Sequence, residues 1–234
     1  MRTGPSHVEM KQVDGKYRLF VNGAEFYVNG AGCEFGPCGA IAMHGGNSFR
    51  TWRTDNGKLS GKEVLDIALE QGLMVLMGID VERERHGFDY NDPVAVQKQL
   101  EDIKGQILEL KDHPALLAWG IGNELNLRYT NNKVWNAVDD IARMIHKVDG
   151  NHPTTTMLAG IGKAEVDYIR EHCPNLDFLS IQMYGDVINL QQRLLEAGYD
   201  GPYLVTEWGA TGHWEVAQTE WGIPIEQTSS EKAD

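Results

Sequence analysis

Hydrophobic and polar positions along the chain follow two rhythms, which change near residue 28. Before it, β-rich runs at 8–13, 17–21 and 25–27 are separated by Asp14-Gly15 and Asn22-Gly23. These dipeptides tolerate the left-handed backbone of tight hairpins, so residues 1–27 read as an N-terminal β-hairpin segment packed on the remainder of the chain. From residue 28, short apolar runs near 28–32, 47–52, 74–80, 117–124, 154–160, 178–184 and 203–208 alternate with helical patterns. The helical segment 62–71 lines up Val64, Ile67 and Ala68; 94–110 lines up Leu100, Ile103, Ile107 and Leu110; 134–148 lines up Val138, Ile141, Ile145 and Val148. Spacing of three and four marks helices with one apolar face. Alternating strands and helices of this kind predict a parallel sheet covered by helices.

The sheet's shape depends on which residues share a face. Successive strand residues point to opposite sides. In the fourth strand Leu117, Trp119 and Ile121 oppose Ala118, Gly120, Gly122 and Glu124; in the sixth, Leu179, Ile181 and Met183 oppose Ser180, Gln182 and Tyr184; in the second, Phe49 opposes Ser48, Arg50 and Trp52. An open doubly wound sheet is apolar on both faces. One apolar face and one small or polar face fit a barrel interior instead, and a (β/α)₈ barrel is predicted over 28–234. The seventh strand fits less cleanly, because Glu207 falls on the same face as Val205 and Tyr203. The pattern supplies seven strands where the fold takes eight. After Glu207 the chain runs through Gly209 to Pro224, and 228–234 reads as the start of a helix. The barrel is therefore expected to be C-terminally incomplete, with the eighth strand absent or supplied by a further segment or a second copy in a homo-oligomer.

Bulk properties narrow the partners. A 234-residue chain with 41% hydrophobic and 24% charged residues accommodates a large domain with a sizeable core. The formal charge of −13 argues against nucleic acid, which is bound by neutralising phosphates. No apolar run approaches the ~20 residues of a membrane span. No leader opens the chain, and the start at 1–6 looks frayed or trimmed; both an extracytoplasmic protein whose signal has been removed and a cytoplasmic one remain open. Cys33, Cys38 and Cys173 show no Cys-x-x-Cys spacing and read as buried thiols, with a Cys33–Cys38 disulfide as the alternative. Gly30, Gly32, Gly36 and Gly39 lack the order of a phosphate loop, and no cofactor is expected.

Functional residues of such barrels sit at the C-terminal strand ends. Read in order, those ends carry Arg50 and Trp52, Asp80, Asn123 and Glu124, Tyr184, and Glu207 and Trp208, with His213 and Trp214 beyond. Two carboxylates, a cation, a phenol, an amide and aromatic rings make a sugar-binding and sugar-cleaving set. Glu124 and Glu207 would lie across the mouth, where a carboxyl separation of ~5–5.5 Å gives a retaining mechanism. Trp52, Trp208 and Trp214 offer flat faces for pyranose C–H groups, and His213 stands at the rim.

The segments Asn123-Glu124 and Leu204-Val205-Thr206-Glu207-Trp208-Gly209 resemble the two glutamate-ended strands of the clan A glycoside hydrolases, retaining (β/α)₈ enzymes. Asn47-Ser48-Phe49-Arg50-Thr51 and Asp112-His113-Pro114-Ala115-Leu116-Leu117-Ala118-Trp119 are similar to motifs of glycoside hydrolase family 2. The resemblance implies a β-glycosidase acting on β-linked oligo- or polysaccharides, with Glu124 as acid/base and Glu207 as nucleophile. It implies that Arg50 and Tyr184 hold Glu207, and that Asn123 meets the hydroxyl beside the reacting carbon. A transglycosidase, or an inactive carbohydrate-binding barrel, are the alternatives. Two departures stand out: only the short hairpin segment occupies the place of the family's β-sandwich, and Gln182-x-Tyr184 stands where Asn-x-Tyr is usual. Glu84-Arg85-His86-Gly87 resembles the family's magnesium-binding stretch, but two donors without a third read as a solvated loop, and no metal is expected.

Overall fold

The computed structural model describes residues 4–34 and 36–232. It opens with a three-stranded antiparallel sheet of β1 (Val8–Val13), β2 (Lys16–Val21) and β3 (Ala24–Glu25). Asp14 and Asn22 adopt φ of 51° and 52°, and Gly15 and Gly23 come next at 75° and 80°. Positive φ at both central residues is what the favoured two-residue hairpin turns require. Tyr27, expected in a strand, lies beyond β3 and is exposed.

A parallel sheet comes after it, formed by β4 (Gly30–Gly32), β5 (Ser48–Arg50), β6 (Met74–Ile79), β7 (Leu116–Asn123), β8 (Thr154–Ala159), β9 (Phe178–Tyr184) and β10 (Tyr203–Gly209). The connections hold α1 (Cys38–Met43), α2 (Gly61–Glu70), α3 (Pro93–Leu110), α4 (Lys133–Val148), α5 (Lys163–His172) and α6 (Leu190–Ala197). Neighbours in sequence are neighbours in the sheet, which curls into a nearly closed barrel. The end strands β4 and β10 approach within 8 Å between Cα atoms, yet no ladder joins them. The seven strands and three long helices agree with the hydrophobic pattern; α1, α5 and α6 do not stand out in it. At the C-terminal end, Thr228 and Glu231 exchange capping hydrogen bonds, and a turn rather than a helix forms there. Ala233 and Asp234 lie outside the described residues.

Helix ends are built by local chemistry. Ser60 and Glu63 form a reciprocal capping box at α2, and Asp92 accepts from the Val94 and Ala95 amides ahead of Pro93 at α3. The main core lies between helices and sheet, with Phe49, Met77, Trp119, Ile121 and Ile141 among its members. Inside the barrel, Leu76, Ala118, Met157 and Phe178 form a separate layer. Leu117 corrects the strict alternation expected of β7. Val75 pairs with Leu116 and Leu76 with Ala118, so the ladder skips Leu117. Its side chain leaves the helix-facing side and joins Val8, Leu19, Val21 and Met74.

That contact places the small sheet under the N-terminal end of the barrel and leaves the opposite end open. Val8 donates its amide to Asn151 O at 2.8 Å. The buried Ser6 hydroxyl donates to Leu116 O at 2.5 Å and lies 3.1 Å from His152 Nε2. Asp149 Oδ2 joins His152 Nδ1 and Trp119 Nε1 at 2.9 and 2.7 Å. Buried polar groups left without partners cost more than the bond itself contributed. Ser6→Ala is therefore expected to lower unfolding stability by about 1–3 kcal/mol, measured by urea denaturation; an unchanged midpoint would show that this junction contributes nothing.

Candidate active site

Five strand-end side chains meet at the open end of the barrel, and regular alternation would not have assembled them. In β10 the partners run Leu204–Ser180, Val205–Ile181, then Glu207–Gln182, so Thr206 is an extra residue. A bulge of this kind reverses the facing of everything after it. It resolves the misfit of the seventh strand: Val205 packs outward with Ile181 and Met183, and Glu207 turns inward. In β7 the register slips between Gly120 and Asn123. Gly122 has φ of 72° and Glu124 φ of 52°. These left-handed residues let adjacent side chains, Asn123 and Glu124, both face the site. Such a backbone is costly for glutamate; the Glu124 amide is held by Met157 O at 3.0 Å.

Arg50 occupies the centre. Its side chain is 5% exposed. Nη1 donates to Glu207 Oε2 at 2.9 Å, and Nη2 to Asn123 Oδ1 at 2.5 Å. The guanidinium lies over the Trp52 ring, 4.4 Å from its centroid. Burial lowers its pKa, and the charge of Glu207 opposes that shift. Tyr184 donates its hydroxyl to the other Glu207 oxygen. Burial first, and Glu207 second, push the phenol pKa up, which keeps it a donor. The Glu124 carboxyl is also raised above its ordinary range. Desolvation is the larger cause and repulsion by Glu207 the second; Arg85, Arg50 and Arg83 oppose both. The two carboxyls thus stand in contrasting surroundings, one paired with a cation and a phenol, the other desolvated.

The remaining candidates are more dispersed. Asp80 is exposed and meets Arg83 at 3.2 Å. With Trp52, Gly32, Cys33, Glu34 and Arg83 it lines a cavity of about 600 Å³. Trp214 packs edge-on against Tyr184, with centroids 5.1 Å apart, and His213 packs on Trp214; both are exposed at the rim. Trp208 is not brought to the cluster: it pairs with Met183 on the outward side of β10 and is 66% exposed. Cys33 and Cys38 are partly exposed rather than buried, free, and 3.2 Å apart; Cys173 is buried.

The charged stretch after β6 corrects its reading as a solvated loop. Arg83 donates to Asn123 O at 3.3 Å, and Arg85 to Glu124 O at 2.7 Å, so two guanidiniums grip the backbone that presents the site. The only sequence signal for this is a pair of arginines just past a buried strand. Glu84 accepts from Thr130 N, Thr130 Oγ1 and Asn131 N at 2.5 to 3.0 Å, which ties this loop to the one after β7. Among the described residues, no three His, Cys, Asp or Glu side chains are grouped to hold a metal ion.

The family model described as "Glycosyl hydrolases family 2, TIM barrel domain" matches residues 43–215. No curated protein matches the chain. Among solved structures it is similar to a β-D-glucuronidase from Dictyoglomus thermophilum, at 17% identity and a TM-score of 0.65, covering 97% of this chain and 42% of that one. It is similar to β-glucuronidase 2 of Bacteroides uniformis, at 16% identity and a TM-score of 0.66, covering 95% and 29%. It is also similar to a GH2 β-galacturonidase from Eisenbergiella tayi, at 19% identity and a TM-score of 0.60, covering 93% and 41%. The chain thus spans less than half the length of these proteins.

Two outcomes are expected from this geometry. Gly122→Ala places a Cβ at positive φ and 2.6 Å from the Leu125 side chain. It should cost about 1–3 kcal/mol in urea denaturation; a neutral result would show that the left-handed turn is dispensable. The second concerns pH. Because the Glu124 pKa is raised on folding, its contribution is fully present below the unfolded value of about 4.3 and is lost as pH rises through the folded value. The stability of wild type relative to Glu124→Gln should fall with rising pH across that window and then level. A difference that stays flat would contradict the shift.

Proposed function

The chain belongs to glycosyl hydrolase family 2, and from that premise we propose that it is a retaining β-glycosidase working through Glu124 and Glu207. The observation that carries this reading is the contrast between the two carboxyls. Glu207 is held by Arg50 on one oxygen and Tyr184 on the other, which suits a nucleophile that must stay ionised. Glu124 is desolvated and raised in pKa, which suits a general acid.

The reaction would run in two displacements. Glu207 attacks the anomeric carbon while Glu124 donates its proton to the departing glycosidic oxygen, and the C–O bond to the leaving group breaks. A glycosyl ester on Glu207 results. Glu124, now a carboxylate, takes a proton from water, whose oxygen attacks the anomeric carbon and releases Glu207. Asn123 faces the sugar hydroxyl beside the reacting carbon. The substrate would be a β-linked oligo- or polysaccharide. The similar proteins named above are β-glucuronidases and a β-galacturonidase, so β-linked uronides belong among the first substrates to try.

A panel of aryl β-glycosides, uronides included, tests this. Turnover by the wild type should fall by ~10³-fold or more in Glu207→Gln. Glu124→Gln should lose ~10²–10⁴-fold on poor leaving groups and far less on activated ones, which need no proton. No turnover of any member by the wild type, or full activity of Glu207→Gln, would overturn the reading.

A further inference from the structure

Gln182 takes no part in the mechanism above, yet it is the residue through which β9 reaches the amide of Asn123. Asn123 Oδ1 accepts two hydrogen bonds, from Arg50 Nη2 at 2.5 Å and from Gln182 Nε2 at 2.8 Å. A guanidinium has donors only, so the oxygen of the Asn123 amide must face Arg50. The Gln182 amide must then turn its nitrogen toward that same oxygen. Its own Oε1 is left buried without a partner among the described residues, and the residue as a whole is 3% exposed. The orientation of Gln182 therefore serves Asn123 at the expense of its own oxygen. With both lone pairs of Oδ1 occupied, Asn123 cannot rotate without breaking two bonds, and Nδ2 is the part of the amide left to meet a ligand. No acceptor among the described residues takes it.

Length matters here. Gln182 sits on β9, one strand removed from β7, and pairs with Ala159 of the intervening β8. The small side chain of Ala159 leaves the path across β8 open. Asparagine at 182 would fall one C–C bond, ~1.5 Å, short of the Asn123 oxygen.

We propose that Gln182 is a positioning residue that locks the Asn123 amide with its N–H₂ toward the mouth, and so sets how strongly the site selects a sugar with a free hydroxyl beside the anomeric carbon. The proposal rests on the β-glycosidase reading for its substrate and on the hydrogen bonds alone for its geometry. It identifies the ligand group as an equatorial or axial hydroxyl acting as acceptor from Asn123, and it separates Gln182 from Ser180, two residues earlier on the same face, whose hydroxyl is committed to Thr155 Oγ1 at 3.0 Å.

The test compares kcat/KM for an aryl β-glycoside and its 2-deoxy counterpart in wild type, Gln182→Met, Ser180→Ala, Asn123→Ala and the Gln182→Met/Asn123→Ala double variant. Gln182→Met keeps the volume and removes the donor. It should lower the preference for the 2-hydroxy substrate by ~10-fold or more, because that bond strengthens in the transition state. Ser180→Ala should leave the preference unchanged, and Gln182→Met should lower it no further once Asn123 is alanine. Equal slowing of both substrates, or an effect that persists in the Asn123→Ala background, would overturn the proposal. A second measurement does not depend on turnover: the side-chain NH₂ resonances of Asn123, assigned through their loss in Asn123→Asp, should shift in Gln182→Met and stay in place in Ser180→Ala. A wild type that cleaves no glycoside would remove the functional reading and leave this measurement to decide; unmoved resonances in Gln182→Met would overturn the positioning role.

Discussion

One buried cation organises the open end of this barrel. A charge withdrawn from water costs several kcal/mol unless it is paired and hydrogen-bonded. Arg50, with its side chain 5% exposed, meets that demand through Glu207, Asn123 and the face of Trp52. Each partner is constrained in turn. Glu207 is kept in reach of Tyr184, and Asn123 has its oxygen committed, with Gln182 as a second donor. Glu124, without a direct ion pair of its own in this network, feels burial and the neighbouring carboxylate and has its pKa raised. The contrast between the surroundings of two chemically identical glutamates thus begins with which of them the arginine holds.

Placing those groups requires the backbone to depart from regularity. A regular strand sends alternate residues inward, which would separate Asn123 from Glu124 and turn Glu207 toward the helices. The extra residue Thr206 and the left-handed conformations of Gly122 and Glu124 remove both conflicts. The left-handed conformation of Glu124 is unfavourable by about 1–3 kcal/mol, and supports surround it: Met157 O holds the Glu124 amide, while Arg83 and Arg85 hold the carbonyls of Asn123 and Glu124. The regular part of the fold lies at the other end, where Val8, Leu19 and Val21 close the barrel floor against Met74 and Leu117. A well-packed floor thus lies at one end and the irregular strand tips of the candidate site at the other.

Legibility in the sequence divides along the same line. The parallel strands announce themselves because their helix-facing residues, such as Phe49, Trp119 and Ile181, are apolar while the interior ones are small or polar, and long helices such as α3 and α4 show full apolar stripes. Arg50, Asn123, Glu124, Tyr184 and Glu207 were legible as strand-end residues. Bulges are not, because an inserted residue leaves no compositional mark: strict alternation makes Leu117 helix-facing and puts Glu207 on the face of Val205. The short helices α1, α5 and α6 lack long stripes. Arg83 and Arg85 looked like solvent-facing charge because their acceptors are backbone carbonyls some forty residues away. Trp208 offers a flat ring beside Glu207 in the sequence, yet one residue past an inward side chain the strand faces out.

The central claim is that the carboxylate held by Arg50 forms the bond to the sugar. Incubating the protein with a 2-deoxy-2-fluoro β-glycoside bearing a good leaving group, followed by mass spectrometry of the intact chain and its peptides, tests this most directly. The fluorine slows the release of the intermediate, so one sugar should accumulate per chain, on the peptide containing Glu207, and its appearance should accompany loss of activity. A sugar attached to a different carboxylate, or steady turnover with no covalent adduct at any time, would contradict it.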